Sequence, residues 1–163
     1  WEWSYWQTTQ PNNMTDRYFD SDPVEALVGR YEFEDGNQVG NVQVANYYPG
    51  YSGNSYVEFL ANEPNDYGSF SQINSIYLPK NDIYKINIHY AANTNHTLRL
   101  VSKVGENQIS STNVLFNSTG SLYSWDTREI ELEFENSETN SLRLVSPFGS
   151  SDKILIDWLH ISQ

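Results

Sequence analysis

Three carboxylates in this chain are spaced so that they could share one cation. Tyr31-Glu32-Phe33-Glu34-Asp35 alternates ring and acid. As a strand it sets Glu32 and Glu34 on one face and Tyr31 and Phe33 on the other. Side chains two apart lie roughly 7 Å from each other along a strand, so the pair repels unless water screens it or a cation sits between. The alternative is a solvated edge strand. At the far end, Ile154-Leu155-Ile156-Asp157-Trp158-Leu159 sets one acid inside an apolar run. A buried carboxylate without a partner is costly, so Asp157 needs one. A hard cation shared by Glu32, Glu34 and Asp157 satisfies all three, and oxygen-only ligation suits calcium. It would also tie the first strand of a domain to the last.

Other chemistry is sparse. The sequence holds no Gly-x-Ser-x-Gly elbow, phosphate loop, dinucleotide fingerprint or His-Glu-x-x-His. The three histidines, His89, His96 and His160, stand apart and read as ordinary surface or strand-end residues. Glu129, Glu131, Glu133 and Glu135 alternate with Ile130, Leu132 and Phe134, which reads as a solvated strand edge that discourages aggregation. The acids singled out by pattern either line that face or belong to the cation cage, so none of them reads as a carboxylate pair for glycoside hydrolysis. The chain is expected not to be an enzyme.

The elements that must position the cage are strands. Ile83 to Tyr90 alternates, with Tyr84, Ile86, Ile88 and Tyr90 inward and Lys85, Asn87 and His89 outward. Ile154 to Ile161 is apolar on both faces, as for a strand in mid-sheet. Nine or ten short strands, with turn residues at intervals of about ten, argue an all-β antiparallel sandwich. A length of 163 residues suits one domain. Twenty-one acids against nine bases give a net charge of −12, a poor match to nucleic acid or anionic membrane. No apolar run is long enough to span a membrane, and no signal-peptide pattern is present. Cysteine is absent, which excludes disulfides and thiolate chemistry. Five Trp, twelve Tyr and seven Phe suit a β protein and also suit surfaces that stack on sugar rings.

Residues 1–29 differ from the rest and read as an extension or linker from a neighbouring domain; 30–163 form the sandwich. Trp1, Trp3, Tyr5 and Trp6 crowd the start, and Asp22-Pro23 could open a short helix that Gly29 stops. This segment loosely resembles the closing strand and helix of a glycoside hydrolase barrel. The alternative is an aromatic extension packed on the sandwich.

From residue 30 onward the chain resembles carbohydrate-binding modules of family 35, which are related to family 6. The likeness rests on Tyr31-Glu32-Phe33-Glu34, on Pro49-Gly50-Tyr51-Ser52-Gly53-Asn54 leading into Tyr56-Val57-Glu58-Phe59, on Ile86 to Tyr90, on Trp125-Asp126-Thr127 and on Ile156-Asp157-Trp158-Leu159, in that order. The resemblance implies a β-jelly roll with a structural calcium held by Glu32, Glu34 and Asp157 and by backbone oxygens near Ser52 to Asn54. It implies a sugar cleft of loops at one end of the sandwich, with Tyr48 and Tyr51 where an aromatic is expected and Asn54 among the polar groups. Two positions depart from the family. Leu122 stands where a platform tryptophan is expected, and Leu155 where Asn is common, so Tyr123 or Phe148 would supply the ring. Trp125 reads as core.

The resemblance implies a secreted, monomeric, non-catalytic module that holds a covalently linked glycoside hydrolase on its polysaccharide, without nucleic-acid or membrane partners. No basic cluster accompanies the tyrosine loop, which points to a neutral hemicellulose such as β-mannan; if residues 1–29 are the tail of a hydrolase barrel, a family 26 mannanase is the expected linked enzyme. Uronic-acid or α-galactosyl glycans are the alternative ligands. A spacer sandwich that binds no sugar is the alternative function, and Leu122 and Leu155 favour it.

Overall fold

The computed structural model describes residues 29–61, 68–137, 139–146 and 152–163. The extension read over 1–29 lies outside the described residues except for Gly29, and so does Phe148. Among the described residues eleven strands run in order: β1 (Gly29–Glu32), β2 (Asn37–Val39), β3 (Val42–Ala45), β4 (Tyr56–Phe59), β5 (Ser69–Ile76), β6 (Asp82–Ala92), β7 (His96–Val104), β8 (Asn107–Phe116), β9 (Asp126–Phe134), β10 (Asn140–Ser146) and β11 (Ile154–Ser162). Sequence alone suggests nine or ten. The short β2 and β3 have three and four residues, too few to carry a legible period.

The strands form two antiparallel sheets packed face to face, the β-sandwich expected. Sheet A runs β3-β4-β11-β6-β9, with β1 also paired to β11; sheet B runs β2-β5-β10-β7-β8. Between them the inward residues of each strand make one core that includes Phe33, Val57, Ile86, Ile88, Leu100, Phe116, Leu142, Leu144, Ile156 and Ile161. Burying such side chains is worth about 1.5–3 kcal/mol each, which drives the assembly. The alternation read over β6 holds: Tyr84, Ile86, Ile88 and Tyr90 are buried. So does that of β9, whose glutamates face solvent on the outer edge of sheet A. Among the described residues no helix is long and apolar enough to cross a membrane.

Two irregularities of sheet A shape its outer face. First, β1 stops at Glu32, and Phe33–Asp35 forms a single 3-10 turn. The ring-acid alternation therefore does not continue as a strand, and Glu34 reaches Glu32 around a turn. The cause is Phe33, which is wholly buried. Inserting that ring between the sheets outweighs the ladder bonds that a longer β1 would add. Second, β11 carries a bulge between Ile156 and Leu159, which pair with Tyr90 and Ile88 of β6. Asp157 and Trp158 together oppose the single residue His89.

Candidate binding site on the outer face of sheet A

β1 and β4 lie along the same edge of β11, one after the other. Glu32 pairs with Trp158 and Val57 with Ile156, so Asp157 falls at the gap between the two strands. Its carboxylate is fully buried there. It accepts hydrogen bonds from the Ser52 backbone N–H at 2.9 Å and the Ser52 hydroxyl at 3.3 Å, and it contacts His89 Nδ1 at 2.9 Å. The same Ser52 hydroxyl reaches Glu32 Oε2 at 3.3 Å, and Arg30 Nε pairs with Glu32 Oε1 at 3.0 Å. Glu32, Glu34 and Asp157 each bring an oxygen to within 4.8 Å of the others. The sequence grouping of these acids thus matches their positions.

Glu34 is the least compensated of the three. Its Oε2 is buried and no donor reaches it. Burial, then the Glu32, Asp157 and Asp35 charges, push its carboxyl up to about 7, against the hydrogen bond from its own backbone. A buried oxygen without a donor, beside two more carboxylates, fits a hard cation. The all-oxygen donor set suits calcium over zinc or copper. Gly53, at φ +67°, passes so close that a Cβ there would lie 3.4 Å from Glu34 Oε1.

His89 is not the ordinary surface residue that its position on a polar strand face suggests. The bulge aims both Asp157 and Trp158 at it. Asp157 holds its Nδ1, while Trp158 stacks on one ring face at 5.1 Å and Trp125 on the other at 5.0 Å. The Arg30 guanidinium continues the stack, 4.7 Å from the Trp158 ring. His96 also departs from expectation: it is buried at the start of β7, and burial lowers its pKa.

Trp125 joins this stack to the loop 46–55. Its indole N–H donates to the Pro49 carbonyl at 2.9 Å, and a Cβ on Gly50 would lie 2.4 Å from its ring, which excludes side chains there. Under the loop, Ala45, Tyr56, Ala91, Leu122 and Leu155 form a second apolar cluster, with Tyr48, Tyr51 and Trp125 packed against it. Trp125 is therefore packed on the sandwich, in keeping with a core reading. Leu122 and Leu155, the two departures from the family pattern, are both buried in this floor.

The expected sugar contacts separate. Tyr48 and Tyr123 meet edge to face at 5.1 Å, and Tyr123 is 66% exposed. Tyr51 is half-buried, its ring 5.1 Å from Tyr56 and its hydroxyl donating to the Asn46 carbonyl, so it fastens the loop. Asn54 is exposed on the same loop.

Sequence reasoning missed Tyr47, which is 55% exposed and packs on Tyr48 at 4.9 Å. It also missed the charged pair beneath these rings. Glu58 is fully buried, paired to Lys153 Nζ at 2.6 Å, and accepts hydrogen bonds from Gln43 and the Tyr47 hydroxyl. Burial alone would raise the Glu58 carboxyl, but the bonds from Lys153, Tyr47 and Gln43 more than offset it and hold it low. Burial would likewise lower Lys153, and the bond to Glu58 reverses that, holding its ammonium above the usual lysine range. That ammonium sits 4.8 Å from the Tyr48 ring and 5.4 Å from Tyr47. The signal available was Glu58 in an otherwise apolar strand, the same cue that singled out Asp157.

Solved structures with this fold include sugar-handling proteins. A family 35 carbohydrate-binding module from Paenibacillus barcinonensis matches with a TM-score of 0.69 and 24% identity, over 83% of this chain and 98% of that one. A family 35 module from Clostridium thermocellum gives 0.68 and 20%, over 83% and 98%. The isomalto-dextranase of Arthrobacter globiformis T6, complexed with panose, gives 0.72 and 17% over 81% of this chain, which spans only 22% of that enzyme. These likenesses establish the carbohydrate-binding-module fold. No curated protein matches the sequence. A family model described as delta endotoxin matches residues 34–161, more than half of the chain. The motifs point to carbohydrate-binding family 35; the likeness to it stands at the level of the fold, and the chain belongs to the delta endotoxin family.

Proposed function

We propose that this domain is a non-catalytic, secreted carbohydrate-binding module that binds a neutral polysaccharide, β-mannan being the leading candidate. It would serve a linked polysaccharide hydrolase by tethering, which raises local substrate concentration without changing the chemistry. The observation that carries the reading is the ring group of exposed Tyr47 and Tyr123 with half-buried Tyr48 between them, set over the Glu58–Lys153 ion pair at one end of sheet A. Rings of this kind offer flat apolar area to the C–H face of a sugar, and their hydroxyls with Asn54 can meet its rim. A fold shared with family 35 modules supports the same reading.

Calcium belongs to the proposal as a structural ion. Glu32, Glu34 and Asp157 would hold it, and it would fix β1, β11 and the loop that carries the tyrosines. Metal-free protein should lose stability as pH rises from about 4.5 towards 7, because a carboxyl raised in the folded state favours folding only while protonated. Calcium should flatten that slope and raise the melting temperature. A melt unaffected by chelator and calcium across this range would remove the ion from the proposal.

The functional test is affinity electrophoresis and calorimetry against galactomannan, glucomannan, xylan, pectin and glucan. Binding to a mannan, lost roughly tenfold or more in Tyr123→Ala, is the expected result. Absence of binding to every glycan would favour a spacer sandwich. That second reading has its own observation, since Leu122 and Leu155 fill the floor of the would-be cleft.

A further inference from the structure

The outer face of sheet B is the counterpart of the tyrosine-bearing face of sheet A, and it is chemically different. Cross-strand pairing lines up two rows over all five strands. One row is Asn37, Gln72, Arg143, Val101 and Ser111. The next is Val39, Phe70, Val145, Arg99 and Asn113. Strands about 4.8 Å apart make each row some 19 Å wide, enough for several sugar units end to end. Neither row contains an acid, although the chain has 21 acids and nine bases.

The two arginines are diagonal neighbours on adjacent strands, since Arg143 pairs with Val101 and Arg99 with Val145. Arg143 lies over the Phe70 ring at 3.9 Å, and its Nε donates to Gln72 Oε1 at 2.7 Å. Arg99 donates to the Ser111 hydroxyl at 2.9 Å. Neither guanidinium meets a carboxylate among the described residues. Lys103 on the same sheet is already neutralised by Glu106 at 3.1 Å. Beside Arg143 runs a groove of about 550 Å³ lined by Asn37, Val39, Phe70, Gln72 and Glu106.

We propose that this face is a second binding surface, selective for an acidic polysaccharide, with the Arg143 and Arg99 guanidiniums receiving sugar carboxylates. The Phe70 ring with Val39 and Val145 supplies apolar area, amides and Ser111 meet hydroxyls, and the two positive forks meet negative charge bidentately. An acidic protein partner fits less well, because six of the ten positions are amides, a hydroxyl or guanidiniums, a more polar surface than the core of a protein interface. The inference goes beyond the tyrosine-site reading. It places charged-glycan recognition on the opposite face, where the guanidiniums meet no carboxylate among the described residues, whereas Lys153 beside the tyrosines is paired with Glu58.

The test uses the full chain and polygalacturonate, with chelator present so that calcium bridges no carboxylates. Binding is measured at low and raised salt beside neutral galactomannan. Polygalacturonate should bind, weaken with salt, and lose roughly tenfold affinity in Arg143→Gln or Arg99→Gln. Arg143→Lys should recover only part of the loss, because it keeps charge without the fork. Tyr123→Ala should leave polygalacturonate binding intact; the galactomannan arm with this variant tests the tyrosine reading separately. No binding to polygalacturonate at low salt would overturn the proposal, as would undiminished affinity in both arginine variants. Self-association in sedimentation that both arginine variants abolish would overturn it in favour of a second copy as occupant.

Discussion

The outer faces of the two sheets start from the same backbone and end with opposite characters. On sheet A, the loops around 46–55 and 117–125 fold over the sheet, so buried ionisable groups there must be partnered. Asp157 is met by Ser52 and His89, and Glu58 by Lys153, Tyr47 and Gln43. On sheet B, Arg99 and Arg143 stay exposed or half-buried and bond to neutral neighbours, Ser111 and Gln72. Covering a polar face turns each of its charges into a stability term. Leaving it uncovered keeps the charges free for a ligand, because water still solvates them.

The contrast between the faces breaks most sharply at Asp157. Asp157→Ala removes the acceptor shared by Ser52 and His89 and one arm of the cation cage. It should cost about 3–5 kcal/mol in denaturant unfolding and abolish any rise in melting temperature with calcium. A loss below about 1 kcal/mol would mean that the gap between β1 and β4 is solvated and the network idle.

Lys153→Met comes next. It leaves Glu58 buried without its cation and should cost about 2–3 kcal/mol, with less than additive loss when combined with Glu58→Gln. The pH dependence carries a sign. Glu58 is held low in the folded state, so its contribution is present above the ordinary glutamate range and is lost as pH falls through the folded value. The stability gap between wild type and Lys153→Met should therefore narrow on acidification, read from melts between neutral pH and about pH 3. A gap constant with pH would assign the loss to packing.

Sheet B should show the smallest effect. Arg99→Gln, on the uncovered face, should change unfolding free energy by no more than about 0.5 kcal/mol. A larger loss would mean that this face is part of the fold's support and would erase the contrast between the sheets.

Much of the fold was legible because alternation is local. The alternating residues of β6 and β9, and the doubly apolar β11, needed only a period of two to be assigned. The acid trio was legible for a different reason: Asp157 in an apolar run and two acids at the start of the domain each demanded a partner. Glu34 comes near the other two by a route other than the strand alternation expected, since the 3-10 turn at Phe33 brings it in. The tyrosines were less legible, because Tyr47, Tyr48 and Tyr51 are near neighbours in sequence yet meet different surroundings. Tyr51 packs down on Tyr56, while Tyr47 stays exposed over the Glu58 pair.

By itself, the sequence determined the all-β class and the inward faces of the long strands, and it raised the expectation that three carboxylates share compensation. These follow from side-chain type and short-range period. Tertiary structure decided the rest. The bulge in β11 turned Asp157 and Trp158 together onto His89, and the two strands on one β11 edge left the gap that holds the carboxylate. Pairing of β2, β5, β10, β7 and β8 drew Asn37, Gln72, Arg99, Ser111 and Arg143 into neighbouring rows. Such neighbours are set by register between distant segments, and register is fixed by how the whole core packs, which no local pattern records.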